Sequence, residues 1–258
     1  MSDSKILGKL RKVYPGASLG YHHGDVTLLG ANPNRRDCLK VKETEYWKKY
    51  NMFLVKRTNH ASVSTKKGLY VFGGIENCQS YEYLPKDSTT WLMGKNEIPI
   101  SFRNGCAIYL HGNIYLIGNW SDQIIKFDVI QETFEVLTTK LTSKRMWTRC
   151  GIIPHSKKII ITGGHDFDGP VDYCEIYDTV SGSVTFTKPM KKKRYDHALV
   201  TMPLNGKDKI IVFGGRAFSE NPQNIEVLDV EKLEWNSIDL DVNNVKFGSV
   251  TLDLGKIF

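Results

Sequence analysis

The stretch from Arg194 to Trp235 reads RYDHALVTMPLNGKDKIIVFGGRAFSENPQNIEVLDVEKLEW. It contains four runs typical of short β-strands, which are HALVTM, KIIVFGG, NIEVLDV and a last one that opens at Trp235. The run from Ile210 to Phe213 is apolar at consecutive positions, which predicts a strand covered on both faces. NIEVLDV alternates as a half-buried strand does, and turn residues separate the runs. The stretch therefore predicts one four-stranded antiparallel unit.

The rest of the chain repeats this unit. The glycine that closes the second strand recurs in steps of 43, 45, 45 and 51 residues, and an aromatic residue follows most copies at the start of the fourth strand. A period of this size indicates a propeller or a solenoid. We predict a single domain over residues 1–258, with copies over 14–55, 56–99, 100–142, 143–190 and 191–242 and a partial copy over 243–258. The recurring glycines are Gly30, Gly73, Gly118, Gly163 and Gly214.

These residues resemble the kelch repeat, in which paired glycines after an apolar strand precede a Tyr-Asp-like pair and then a tryptophan. Gly214-Gly215 and Trp235 carry the resemblance most clearly, and Tyr177-Asp178 matches its middle element. The resemblance implies an all-β, kelch-type β-propeller of four-stranded antiparallel blades, with five complete repeats and an incomplete sixth. A five-bladed ring and a chain shorter than its relatives are the alternatives.

The physics of stacked sheets supports the same architecture. A four-stranded unit of this size cannot bury both faces alone, so neighbouring copies must pack face to face. The glycine pair permits a positive φ where the second strand leaves the sheet. Each aromatic residue at the start of a fourth strand, such as Trp91 or Trp235, is predicted to wedge between adjacent blades.

Composition limits the possible partners. The chain of 258 residues has 35 basic and 28 acidic residues, and the resulting charge of +7 is spread out, which favours a solvated basic face over nucleic-acid binding. The N-terminal sequence lacks the apolar run of a signal peptide, and no segment is apolar over the length of a bilayer. The five cysteines form no CxxC motif, so we expect free, mostly buried thiols in a cytoplasmic protein without a metal or other cofactor.

The resemblance also implies where a partner binds. In kelch domains one face is built from the loops after the glycine pairs and the segments before each first strand. On that face we predict Arg103, Arg149 and Arg194 at equivalent positions of three consecutive blades, where they would pair with an acidic peptide. The alternative is that each arginine bonds to carbonyls of a neighbouring blade. The other predicted partner-binding residues are Tyr195, Arg216, Trp120, Trp147 and His165, with Phe218 beside them.

The sequence thus predicts a non-enzymatic module that binds another protein. Kelch proteins often act as ubiquitin-ligase substrate receptors or as actin-associated proteins, and those roles generally need a further domain for which we expect no room before the first repeat. The alternative from another class is a metal-dependent enzyme with ligands from axial loops. No GxSxG, HExxH or Walker A pattern occurs.

Overall fold

The computed structural model describes residues 16–22, 25–30, 36–41, 47–50, 52–204, 206–218, 222, 224–238 and 251–252. Over these ranges the chain is all-β and forms a five-bladed propeller of antiparallel sheets. Within the same ranges no helix is long and apolar enough to cross a membrane.

The strands of each blade follow chain order, and the first strands of successive blades lie next to one another around the axis. Blade 1 contains β1 (Ser18–His22), β2 (Asp25–Leu29), β3 (Cys38–Val41) and β4 (Trp47–Tyr50). Blade 2 contains β5 (Ala61–Thr65), β6 (Gly68–Phe72), β7 (Tyr81–Pro85) and β8 (Leu92–Met93). Blade 3 contains β9 (Cys106–Leu110), β10 (Asn113–Ile117), β11 (Ser121–Asp128) and β12 (Thr133–Arg145).

Blade 4 carries an additional small hairpin between its second and third strands. The blade contains β13 (Arg149–Ile152), β14 (Lys158–Thr162), the hairpin strands β15 (His165–Asp166) and β16 (Gly169–Pro170), β17 (Cys174–Asp178) and β18 (Val184–Phe186). Blade 5 contains β19 (Ala198–Leu204), β20 (Lys207–Phe213), β21 (Ile225–Asp229) and β22 (Glu234–Ile238). The four runs of the opening stretch are β19 to β22, so the predicted four-stranded antiparallel unit is confirmed.

The ring closes through a strand from the C-terminal part of the chain. A short strand, β23 (Thr251–Leu252), pairs in parallel with β19 and also approaches β1 of blade 1. β23 is the fifth strand of the blade 5 sheet. The described strands therefore form five blades, and none of them forms a sheet of the predicted incomplete sixth blade. The segment 3–13, DSKILGKLRKV, is a second candidate strand for the predicted incomplete blade, and it lies outside the described ranges.

The seams between blades form the hydrophobic core, and the tryptophans sit in them as predicted. Trp235 is 1% exposed and packs among residues of blades 4 and 5, where its Nε1 donates to Thr187 Oγ1 at 3.2 Å. Trp91 is equally buried between blades 1 and 2, with the ring of Phe53 at 4.9 Å. Large aromatic rings bury much apolar area, so these two positions contribute strongly to holding neighbouring blades together.

The glycine pairs of blades 2 and 4 join each of these blades to the next through main-chain atoms. Gly73 and Gly163 have φ of 64° and 49°, in the left-handed region. A Cβ at either position would overlap a carbonyl oxygen of the next blade, that of Phe102 or Arg194. The following glycines donate their N–H groups to those same oxygens at 2.9 Å. The pair is needed because a neighbouring main chain, rather than a neighbouring ring, occupies the space beside it.

The expectation that all cysteines are free thiols is wrong. Cys106 and Cys150 form a disulfide between β9 and β13, the innermost strands of blades 3 and 4, and their Cα atoms are 6.0 Å apart. The sequence gives no sign of this bond because the two residues are 44 positions apart. They come together only when neighbouring copies of the repeat stack. Cys38, Cys78 and Cys174 are free.

Candidate functional site

One end of the ring carries both kinds of loop that the sequence predicted to form a binding face. Within an antiparallel blade, the start of the first strand and the end of the second lie at the same edge. The segments before β5, β9, β13 and β19 therefore meet the segments after the glycine pairs. We call this end the loop face.

A series of main-chain hydrogen bonds runs around the axis at the loop face. Each bond joins residues located two positions before the first strand of consecutive blades, and we call the series the backbone belt. Every member has a positive φ, between 54° and 77°. The bonds run from Asn59 N to Gly16 O (2.9 Å), Asn104 N to Asn59 O (2.9 Å), Trp147 N to Asn104 O (2.6 Å) and Asp196 N to Trp147 O (3.0 Å).

Trp147 is the unusual member of the belt. Glycine, asparagine and aspartate tolerate the left-handed region, whereas a bulky side chain there is strained by about 1–2 kcal/mol. Trp147 nevertheless has φ 54°. Trp120, in the loop after Gly118, has φ 64° and is also on the loop face. Strained bulky residues tend to occur at functional sites, where the strain is compensated elsewhere in the structure.

The two tryptophans belong to an aromatic patch that spans blades 3, 4 and 5. Ring centroids in the patch lie 4.9–5.9 Å apart, and most ring pairs meet edge to face. Phe167 and Phe218 are 77% and 73% exposed. A cluster of exposed rings of this kind marks an interaction site more often than a bare solvent surface. The aromatic patch consists of Trp120, Trp147, His165, Phe167, Tyr195 and Phe218.

Of the residues predicted to bind a partner, the structure brings Trp147, His165 and Tyr195 into direct ring contact. Phe167 was not predicted. It lies at the tip of the β15–β16 hairpin and packs against Trp120 with centroids 4.9 Å apart. The only sequence signal for it is an aromatic residue inside the turn-like segment from Asp166 to Gly169.

The prediction that Arg103, Arg149 and Arg194 occupy equivalent positions is wrong. Counted from the belt residue of each blade, Arg103 lies one residue before Asn104, Arg149 two residues after Trp147 and Arg194 two residues before Asp196. The belt residues share a backbone conformation but not one common residue type. An alignment of the copies by residue type therefore does not bring the belt residues to matching positions.

Arg194 has a structural environment that repeats in three blades. Its side chain is fully buried, and Nη2 contacts Glu226 Oε1 at 2.7 Å while Nη1 donates to the Gly214 carbonyl at 3.0 Å. Burial lowers the pKa of the Arg194 guanidinium, and the charge of Glu226 acts in the opposite direction. The equivalent buried pairs are Arg57–Glu82 and Arg145–Glu175.

In each of these pairs the carboxylate also accepts an N–H from the segment that leads into the blade. Leu54 N lies 2.5 Å from Glu82 Oε2, Thr142 N lies 2.8 Å from Glu175 Oε1, and Lys191 N lies 2.6 Å from Glu226 Oε2. The donor is always the third residue before the arginine. A buried ion pair needs its other hydrogen bonds to be made, and these bonds supply a further donor to each carboxylate. On the arginine side, Nε of Arg145 and of Arg194 is buried without a hydrogen-bond partner.

Blade 3 replaces this arrangement with apolar side chains. Phe102 stands at the arginine position and Ile125 at the glutamate position, and both pack in the core between blades 2 and 3. The third residue before Phe102 is Pro99, which has no N–H to donate. The ion pair and its hydrogen-bond donor are thus absent together, and no buried polar group is left over at these three positions.

Arg149 and Arg216 remain near the solvent on the loop face and share one carboxylate. Arg149 Nη2 lies 2.9 Å from Asp196 Oδ1, and Arg216 Nε lies 3.8 Å from Asp196 Oδ2. The Arg149 side chain is 11% exposed, and burial lowers its pKa. The Arg216 side chain is 61% exposed. Arg103 is also exposed. Arg103 and Arg216 are therefore accessible cationic residues of the loop face.

Two buried histidines lie beneath the loop face. His60 Nε2 is 2.8 Å from Ser18 Oγ, and His197 Nε2 is 2.7 Å from Thr162 Oγ1. Burial lowers the pKa of His60 to about 3, with the charge of Arg57 adding to the effect. Burial likewise lowers the pKa of His197 well below its usual range, together with three nearby arginines. Both side chains are consequently neutral at physiological pH.

The alternative of a metal-dependent enzyme finds no support in the part of the chain that the structure describes. Among those residues no three His, Cys, Asp or Glu side chains are grouped so that they could hold a metal ion. Comparison with known proteins adds no assignment, since no protein-family model matches the chain and no curated protein matches it.

Proposed function

We propose that the chain is a kelch-type propeller that acts as a non-enzymatic interaction module and binds a partner protein on its loop face. The kelch assignment is supported by glycine pairs that hold a neighbouring main chain and by tryptophans wedged between blades. The partner proposed is another protein, rather than a nucleic acid or a membrane, in the cytoplasm. Recognition of ubiquitin-ligase substrates and association with the cytoskeleton are the roles that fit such a module.

The observation that carries the proposal is the strained backbone of Trp147 and Trp120 within the exposed aromatic patch. Neither residue is the best choice for stability at its position, because asparagine or glycine would tolerate the same φ at lower cost. Tryptophan, tyrosine and arginine are the residues most often found at the energetic centre of protein interfaces. A partner with apolar side chains for the patch and an acidic side chain for Arg216 or Arg103 matches this surface.

Affinity capture with the purified protein tests the proposal. The variant Phe167→Ser/Phe218→Ser should lose captured partners, since each truncated aromatic anchor typically weakens binding by about 2 kcal/mol or more. The matched control is Ile130→Ser/Val180→Ser, which removes side chains that are 69% and 71% exposed on hairpins at the opposite end of the ring.

Both pairs of substitutions lie at exposed sites, so neither should lower the urea midpoint of unfolding by much. Equal retention of partners by the two variants would contradict the proposal. Loss of the same partners from the control variant would place binding at the other end of the ring.

A further inference from the structure

The disulfide lies directly beneath the part of the loop face that carries the aromatic patch. Cys106 follows the belt residue Asn104 by two positions, and Cys150 follows Trp147 by three. The hydrogen bond from Trp147 N to Asn104 O and the disulfide therefore cross the same seam, between blades 3 and 4. A noncovalent and a covalent link act together at this point.

The first strands of neighbouring blades belong to different sheets, so no ladder of strand hydrogen bonds joins β9 to β13, as at the other described seams. The disulfide distinguishes this seam from the other seams among the described residues. Besides the belt bond and the disulfide, the first strands are held there by apolar packing around Ile108 and Ile159.

Breaking the covalent link would leave Trp147 with its two belt bonds, from Trp147 N to Asn104 O and from Asp196 N to Trp147 O. The bonds of its neighbour Met146 to His165 would remain as well. The disulfide is the covalent restraint on this strained segment.

Both cysteines are buried, but they differ in their surroundings. Cys106 is 4% exposed and is one of the residues around the funnel at the axis of the loop face, together with Asn104, Trp147 and Arg149. Cys150 is 0% exposed and packs among apolar side chains. The funnel therefore gives a reductant an approach to the disulfide from the side of Cys106.

We propose that the Cys106–Cys150 disulfide is a reversible redox latch that holds the segments around Asn104 and Trp147 in place on the loop face. A dithiol reductant opens it. A thiolate of the dithiol attacks Cys106 Sγ, the bond to Cys150 breaks, and Cys150 leaves as a thiolate that takes up a proton. The second thiol of the dithiol then releases Cys106 as a thiol, and the dithiol becomes a disulfide.

Reduction loosens the Asn104 and Trp147 segments while the five blades stay folded. The crosslink restrains the unfolded chain by closing a loop of about 44 residues, but the ring does not depend on it alone. The wedged tryptophans act at other seams, and the buried Arg145–Glu175 pair spans the seam of blades 3 and 4 without the disulfide. The role of the latch in partner binding rests on the proposed function, whereas its chemistry and its effect on loop order do not.

Native-state alkylation with iodoacetamide, read by mass spectrometry, tests the reversible bond. Burial raises the pKa of the Cys38 thiol above its usual range and that of Cys174 to about 12, so both stay unreactive in the folded protein. Cys78 is partly exposed and serves as an internal reference. We expect alkylation of Cys78 alone before treatment, and of Cys106 and Cys150 as well after native treatment with dithiothreitol.

Hydrogen exchange of the same samples tests the effect on the loop face. Exchange in residues 104–106 and 147–150 should rise at least several-fold on reduction, and the variant Cys106→Ser/Cys150→Ser should match the reduced protein. Residues 128–133, in a hairpin at the opposite end, and the buried strand β14 should not change.

Three results would overturn the latch. The first is labelling of Cys106 and Cys150 only after denaturation, which would make the bond a permanent crosslink. The second is equal exchange in the oxidised and reduced proteins. The third is faster exchange throughout β14, which would mean that reduction unfolds the ring. None of these results bears on capture of a partner by the oxidised protein, so the latch and the proposed function can fail separately.

Discussion

The backbone belt shows how one residue can be selected against local stability. Its five positions require a left-handed backbone, and four of them hold the residues that accept it, namely Gly16, Asn59, Asn104 and Asp196. Trp147 holds the fifth. Its ring is in contact with Tyr195 and His165, so side-chain packing in the aromatic patch offsets part of the backbone strain.

This leads to a prediction for a reciprocal pair of substitutions. Trp147→Asn removes about 1–2 kcal/mol of backbone strain and also removes exposed ring contacts, so the free energy of unfolding should stay within about 1 kcal/mol of the native value. Asn104→Trp places the same backbone strain in blade 3 and should lower the free energy of unfolding by about 1–2 kcal/mol. Urea unfolding measures both. A loss above 3 kcal/mol for Trp147→Asn would show that Trp147 is needed for stability.

The buried ion pairs allow a second prediction at the scale of single residues. Arg194→Met strands the Glu226 carboxylate in the core and should cost about 3–5 kcal/mol. The triple variant Lys191→Pro/Arg194→Phe/Glu226→Ile copies the arrangement of Pro99, Phe102 and Ile125 in blade 3 and should recover most of that loss. Urea midpoints of the single and triple variants give the comparison. If the triple variant is no more stable than the single one, the apolar arrangement of blade 3 is not transferable.

At the scale of the element, β22 joins its blade to the one before it through Trp235. Trp235→Ala should lower the free energy of unfolding by about 3–5 kcal/mol, because it leaves a cavity between blades 4 and 5 and frees Thr187. Trp91→Ala should cost a similar amount at the seam of blades 1 and 2. Phe186→Ala is the control, since that ring is 49% exposed. Equal urea midpoints for Trp235→Ala and Phe186→Ala would contradict the wedge.

The sequence predicts these elements well because each depends on local pattern. The apolar run Ile210–Phe213, the run of β21 and the glycine pairs depend on residues within one blade, and their strands appear where they were predicted. The half-buried alternation predicted for β21 is wrong, because Glu226, Val227 and Leu228 are all buried and the Glu226 carboxylate pairs with Arg194. The seams are different. The disulfide, the belt and the contact of Phe167 with Trp120 join residues about 45 positions apart, so they follow from how blades stack and not from any short motif.

The candidate site was only half predictable for the same reason. Trp147, His165 and Tyr195 could be placed on one face from the resemblance to kelch repeats, because their loops have the same place in each copy. The position of Arg194 could not, because its side chain runs inward to a glutamate 32 residues later in the chain. Whether an arginine is buried or on the surface depends on whether it has such a glutamate partner. The resemblance to a repeat does not identify that partner.

For the whole molecule, the buried histidines His60 and His197 predict a loss of stability in mild acid. Their folded pKa values lie below the unfolded value of about 6.5, so the unfolded chain binds more protons than the folded one as the pH falls below 6.5. Between pH 7 and pH 5 this should cost about 2 kcal/mol for His60, and the lowered pKa of His197 adds to the loss in the same direction. Urea unfolding at the two pH values measures this change.

His60→Gln/His197→Gln should remove most of this pH dependence, whatever its stability at pH 7. His111→Gln is the control, because His111 is exposed at a hairpin. A double variant that keeps the full dependence between pH 7 and pH 5 would show that other groups titrate in that range.

The backbone belt also bears on how such a ring can change its size. Each of its links joins a peptide N–H to a peptide carbonyl, and every blade presents the same pair of groups. The belt therefore does not distinguish one blade from another. A duplicated blade would make the same belt contacts as its neighbour, and after a deletion the two flanking blades would bond to each other through the same groups. In a ring of this kind the number of blades follows from their curvature and from the strand that closes the circle, and not from recognition between particular neighbours.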